Sequence, residues 1–136
     1  MDAVTESSGM AWVAIVVALA LLEYLFIAIQ VGRARGRTGV KAPATTGSPE
    51  FERYFRVQSN TVEPLVIFLP GIFLFAHYVN ACAAALLGAV FVVGRAIYYA
   101  TYTVDPAKRS AGFALSILPC LALVAGGLIG AVASLL

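Results

Sequence analysis

Four long apolar runs leave this chain few folds to choose from. They cover residues 9–32, 64–79, 82–104 and 111–136. About 20 consecutive apolar residues cross the hydrocarbon of a bilayer as helix. No water is available there to satisfy open backbone groups, so such a chain spans as helices. Composition agrees with that reading, at 61% hydrophobic and only 12% charged residues, far from the balance of a soluble domain. A length of 136 residues allows one membrane domain and little outside it. The expectation is an all-α integral membrane protein: one domain, residues 1–136, built as a four-transmembrane-helix bundle with helices over roughly 9–35, 49–78, 82–104 and 109–135. The first run is too long for the core of a leader peptide. It follows Asp2 and Glu6 rather than basic residues and leads into a basic loop, so it reads as a span.

The connections are short and carry recognisable punctuation. Residues 33–49 hold Arg33, Arg35, Arg37 and Lys41 and then turn rich in Pro, Gly and Thr, the mark of an irregular loop. Ser48-Pro49-Glu50 has the form of a helix start, with Ser as cap and Pro at the first helical position. Pro64 and Pro70 are expected to loosen or kink the second helix, and Pro119 to bend the fourth. Gly126, Gly127 and Gly130 are small enough for close helix packing. Cys82 and Cys120 show no metal-type spacing and read as small hydrophobes.

All nine basic residues lie in or near the 1–2 and 3–4 connections: Arg33, Arg35, Arg37, Lys41, Arg53, Arg56, Arg95, Lys108 and Arg109. The N-terminus and the 2–3 turn carry none. The positive-inside rule then makes those two connections cytoplasmic and puts both termini on the other side. The polar start of helix 2, the aromatic end of helix 3 and the start of helix 4 meet at one membrane face.

Charged and polar groups gather at that face. On helix 2, Arg56, Asn60 and Glu63 fall at i, i+4 and i+7 and share a stripe. On helix 3, Arg95, Tyr98 and Tyr102 fall at i, i+3 and i+7. Arg109 stands at the start of helix 4, where free backbone N–H groups add positive potential. Such groups in a membrane helix mark a site by default. Arginines bind carboxylates in forked geometry, and Glu63 is matched to an ammonium. The rise from Arg56 to Glu63 is about 10 Å at about 1.5 Å per residue, the length of an extended tripeptide at about 3.3–3.6 Å per residue. A small zwitterionic peptide with two carboxylates fits, and glutathione has that charge pattern. A cation or a helix N-terminus favours the thiolate of such a ligand; Arg109 supplies one and lies beside the other. Tyr98 or Tyr102 can donate a hydrogen bond. The electrophile would be apolar and arrive from the lipid.

Plainer readings stand beside these. Tyrosines at a helix end also form interfacial belts, and Arg33, Arg37, Lys41 and Lys108 suit topology and headgroup contacts. Arg95 and Glu63 would make a structural ion pair, while Gln58 lies off the stripe and faces a neighbouring subunit or solvent. His77 reads as a turn residue. Glu23, alone in helix 1, suits either proton or cation coupling or a polar partner across the bundle.

The stretch Thr45-Thr46-Gly47-Ser48-Pro49-Glu50-Phe51-Glu52-Arg53, followed by Arg56-x-Gln58-x-Asn60-x-x-Glu63, resembles the MAPEG family. These are membrane-associated proteins of eicosanoid and glutathione metabolism, among them microsomal glutathione transferases, leukotriene C synthase and the lipoxygenase-activating protein. Arg95-x-x-Tyr98-x-x-x-Tyr102, with Arg109 further on, resembles the leukotriene C synthase type. The resemblance runs from Gln30 through helix 4. It implies a homotrimer with glutathione, as co-substrate, bound between neighbours, and no metal. By that resemblance Arg35, Arg56, Gln58, Asn60, Glu63, Tyr98 and Tyr102 bind glutathione, Arg109 activates its thiol, and Arg95 supports the pocket. The implied activity joins glutathione thiolate to lipophilic electrophiles, or reduces lipid hydroperoxides, as in detoxification. The partners are glutathione, the electrophile, membrane lipid and other copies of the chain, with no nucleic acid.

Two positions depart from the pattern. Pro64 stands where leukotriene-type members carry Tyr, and Gly36 replaces the second arginine of a pair. The short chain, compact turns and Phe68-Leu69-Pro70 resemble a bacterial member, which implies an inner-membrane location with the site facing the cytoplasm and no leukotriene substrate. Two rival readings remain: a non-catalytic MAPEG-like lipid-binding protein, against which Arg109 and Tyr102 argue, and a small multidrug exporter using Glu23, against which the basic asymmetry argues.

Overall fold

In a computed structural model, residues 3–136 are described, and Asp2 lies outside them. Four helices account for most of the chain: α1 (Ala3–Thr38), α2 (Pro49–Tyr78), α3 (Ala81–Tyr102) and α4 (Ser110–Ala133). A short 3₁₀ turn, Pro106–Lys108, precedes α4. Among the described residues there is no strand. All four helices are long and apolar enough to cross a membrane. The first helix, expected to start near residue 9, starts at Ala3. Its polar opening, with Glu6 in the first turn, simply extends the helix beyond the apolar run.

Local chemistry sets the ends. α1 finishes with Arg35 and Arg37 in its last turn, favourable at the negative end of a helix. Gly39 follows at φ 73°, a left-handed closure that suits glycine. Ser48 caps α2 in extended conformation, its hydroxyl accepting from Phe51 N at 3.4 Å, with Pro49 behind it. Asn80 caps α3 by accepting from Ala83 N at 2.8 Å. Only Val79 and Asn80 separate α2 from α3.

Successive helices run antiparallel. Arg37 at the end of α1 meets Glu50 at the start of α2, and Arg53 Nε donates to Thr103 O at the end of α3. At the far end Gly9 lies against Ala81, and Gly130 against the Tyr78 carbonyl. α2 and α3 form the middle of the bundle, with α1 packed on one side of them and α4 on the other. The main core joins Val13, Val16 and Ala20 of α1 to Phe68 and Ile72 of α2, Ala84 and Phe91 of α3, and Cys120 and Leu123 of α4. Phe68 and Phe91 stack at 4.1 Å between ring centroids. The outward face of α1 shows Trp12, Ile15, Leu19, Leu22, Phe26 and Ile29. Such a surface is stable against lipid chains and not against water.

α3 and α4 approach closely at two glycines. A Cβ on Gly112 would sit 2.5 Å from Tyr98 N, and one on Gly94 would sit 2.8 Å from Leu115 O. Pro119, four residues beyond Leu115, has no N–H to offer that carbonyl. Small residues at both crossings let α4 carry Arg109 up against the end of α3.

Candidate functional site

The polar end of the bundle holds the site. Ile27, Val57 and Tyr98 pack together there, with Tyr99 and Tyr102 against them. Tyr98 is only 2% exposed. Its ring stacks on Tyr102 at 5.3 Å, and the Arg95 guanidinium lies over the ring at 4.0 Å from its centroid. Its hydroxyl accepts a hydrogen bond from Asn60 Nδ2 at 2.8 Å. Side chains from α2 and α3 are thereby locked to each other.

Arg95 is the most demanding residue in the bundle, a side chain 2% exposed about two turns from the end of an apolar helix. Its Nη1 donates to the Asn60 carbonyl at 3.1 Å. In an unbroken α-helix that carbonyl would accept from the N–H four residues on. Residue 64 is proline and has none, yet the helical assignment of α2 runs on through it. Pro64 thus frees the acceptor that Arg95 uses. The plainer reading of Arg95 and Glu63, as a structural ion pair, does not hold; among the described residues the salt bridge found is Arg37–Glu50, at 2.7 Å on the surface. The Nε and Nη2 atoms of Arg95 make no hydrogen bond.

Between α2, α3 and α4 lies a cavity of about 340 Å³. Asn60, Glu63, Arg95, Tyr98 and Arg109 line its polar side, and Pro64, Ile67, Phe113, Ser116 and Ile117 its remaining wall. Five of the nine residues singled out from the sequence therefore share one cavity. The other four do not line it. Arg35 turns to the loop, donating to Val40 O at 3.3 Å and Ala44 O at 2.7 Å, with its guanidinium over Phe51 at 4.5 Å. Arg56 is exposed, Gln58 is half-buried, and Tyr102 stacks behind Tyr98. Glu63, though it lines the cavity, is also exposed on the bundle surface.

Arg109 occupies the cap position of α4, directly after the 3₁₀ turn. Its Nη1 donates to Pro106 O at 3.2 Å, and the rest of the guanidinium is exposed. The first N–H groups of α4 open beside it without a side-chain cap. Cation and helix dipole therefore act at one place, which suits a bound anion.

The sequence reading missed the less polar wall. Its signal was present: Pro64 and Ile67 continue the Asn60 stripe at i+4 and i+7. Phe113, Ser116 and Ile117 follow Arg109 at i+4, i+7 and i+8. The wall carries no charge, so nothing distinguished it from ordinary core. Elsewhere, both cysteines are free thiols; Cys120 is buried, while Cys82 is exposed and, with Glu6, His77 and Asn80, lines a cavity of about 470 Å³ at the opposite end.

Fold and site together define an integral membrane protein of four helices with a cationic and tyrosine-lined pocket at one end of the bundle. The sequence model of the MAPEG family matches residues 13–129, and the chain belongs to that family. It is 50% identical to an uncharacterized protein of Synechocystis sp. over 87% of this chain and 86% of that one. It is 42% identical to human microsomal glutathione S-transferase 2, over 73% of this chain and 67% of that protein. With bovine leukotriene C4 synthase it shares 34% identity over 93% of this chain and 84% of the synthase.

Proposed function

We propose that this protein is a glutathione transferase that joins glutathione thiolate to lipophilic electrophiles drawn from the bilayer, with reduction of lipid hydroperoxides as a second outcome of the same thiolate. The observation that carries this reading is the shared cavity: Arg109 at the open N-terminus of α4 faces the Asn60–Tyr98 pair and Glu63 across one space. The relatives named as glutathione transferases support it.

The assignment follows the chemistry of each group. Glu63 attracts the ammonium of glutathione, and Asn60 and Tyr98 position its peptide groups. Tyr102 supports Tyr98 by stacking. Arg109 and the α4 N–H groups stabilise the thiolate, so the thiol proton leaves to solvent and the sulfur lone pair is free to attack. With a chlorinated nitroaromatic, sulfur bonds to the ring carbon and chloride departs with the bonding electrons. The wall made by Ile67, Phe113 and Ile117 accepts the apolar partner. Arg35, Arg56 and Gln58 complete the clamp from a neighbouring copy in a homotrimer. The exposure of Arg56 and Glu63 supports this, since charges on a membrane helix need cover. The basic connections favour a cytoplasmic site face, and the resemblance of the short chain, compact turns and Phe68-Leu69-Pro70 to bacterial members favours a bacterial inner membrane.

The test is glutathione-dependent conjugation of a chlorinated nitroaromatic by purified protein, read alongside the ultraviolet absorbance of bound thiolate. Arg109→Ala is expected to lose the thiolate signal and to lower kcat by about 100-fold, the scale of removing one preorganised charge stabiliser. Intact protein that neither binds glutathione nor turns over would sink the proposal.

A further inference from the structure

Arg95 presents half of its guanidinium to nothing. Nη1 is committed to the Asn60 carbonyl, while Nε and Nη2 are unpartnered and buried. Those two N–H groups are the side-on fork of an arginine, the edge that takes a carboxylate with two parallel hydrogen bonds. A buried cation left without a counter-charge is costly.

A carboxylate stands across the bundle from it. On α1, Ala20 is 2% exposed and Ile27 is 1% exposed. Glu23 falls between them at i+3 from Ala20 and i−4 from Ile27, on the same inward face, and is itself half-buried. Ile27 packs on Val57 and Tyr98, and Tyr98 carries the Arg95 guanidinium on its ring. Glu23 lies one turn deeper than Ile27, as Arg95 lies about one turn deeper than Tyr98 in α3, which runs parallel to α1. The two residues therefore share a depth. Glu23 is the one acid of the first apolar run and Arg95 the one base of the third. Glu63, the nearer acid in sequence terms, is turned to the surface.

We infer that Glu23 is a positioning residue of the glutathione site, acting as the counter-charge of the Arg95 fork. Balanced by a carboxylate at its own depth, Arg95 keeps its grip on the Asn60 carbonyl and its place over Tyr98. Asn60 and Tyr98 in turn keep the hydrogen bond that fixes the cavity wall. Glu23 touches no ligand; it acts through Arg95. This rests on the reading of the cavity as a glutathione site, and it assigns to α1 a part in binding that the cavity lining does not show.

The experiment uses the full chain in detergent micelles, with glutathione titrated calorimetrically and steady-state conjugation measured in parallel. Glu23→Gln is expected to raise the Kd and KM for glutathione about tenfold, the size of one charge-assisted interaction, with kcat and the bound-thiolate signal kept. Glu23→Asp, which keeps the charge, is expected to restore most of the affinity. Arg95→Met should weaken glutathione binding at least as much, and the Glu23→Gln/Arg95→Met double variant no more than Arg95→Met alone, in Kd and in Tm. Arg95→Lys, with charge but no fork, should fail to rescue. Wild-type affinity in Glu23→Gln, or fully additive losses in the double variant, would overturn the inference. If wild-type protein binds no glutathione, the function proposed above fails instead. The Glu23–Arg95 pairing is then decided by Tm alone: coupled losses sustain it and additive ones refute it.

Discussion

Asn60 is tied at both ends, its carbonyl to Arg95 and its amide to the Tyr98 hydroxyl. Removing one tie leaves the other in place, so the two can be tested separately. Tyr98→Phe keeps the ring on which Arg95 and Tyr102 lie and deletes only the acceptor of Asn60 Nδ2. Stability should fall by about 1 kcal/mol in denaturant unfolding, and KM for glutathione should rise while the thiolate signal at Arg109 persists. The tyrosine and arginine positions were legible in the sequence from helical spacing alone. The partner of Arg95 was not. Pairing side chain with side chain pointed to Glu63, whereas Pro64 had already released a backbone carbonyl one turn away. The departure at position 64 and the buried arginine are two halves of one arrangement, which a search for charge pairs passes over.

The crossing of α3 and α4 places Arg109, and it depends on atoms that are not there. Gly112→Ala would drive a methyl group to 2.5 Å from the Tyr98 backbone. Neither helix can yield locally, because Tyr98 is buried and hydrogen-bonded. The expected outcome is a loss of roughly 1–3 kcal/mol, as for overpacking in a close-fitted interior, seen as a lower Tm. Activity should fall with it, since α4 must shift and carry Arg109 away. Element identity was the most legible level of this protein. Apolar runs marked the spans, and Ser48-Pro49 has the form of the cap and first residue with which α2 begins. The start of α1 was less so, because its first turns are polar and carry no span signal. The inward bend of Arg35 onto loop carbonyls also left no trace in the spacing of residues.

The proposed trimer gives Arg56, Gln58 and Arg35 a part in binding that one chain does not show. One copy gathers Asn60, Glu63, Arg95, Tyr98 and Arg109, and leaves charged groups on its own membrane-facing surface. Native mass spectrometry from mild detergent should therefore find a particle near three times the 14.3 kDa chain, and glutathione binding should disappear when the particle is dissociated. A monomer that binds glutathione with full affinity would contradict that assembly. At this scale the four-helix architecture could be read from hydropathy, while the proposed division of the site between copies rests on resemblance, since one sequence says nothing about its own neighbours. The two-residue link between α2 and α3 has a further consequence, for biogenesis. An arginine at the centre of a lone inserting helix costs about 2.5–3.5 kcal/mol. Arg95 sits about two turns from the end of α3, so a segment leaving the insertion machinery by itself would bear part of that cost. Tethered to α2 by Val79 and Asn80, it arrives as half of a hairpin, and the carbonyl of Asn60 is already waiting in the lipid for Arg95.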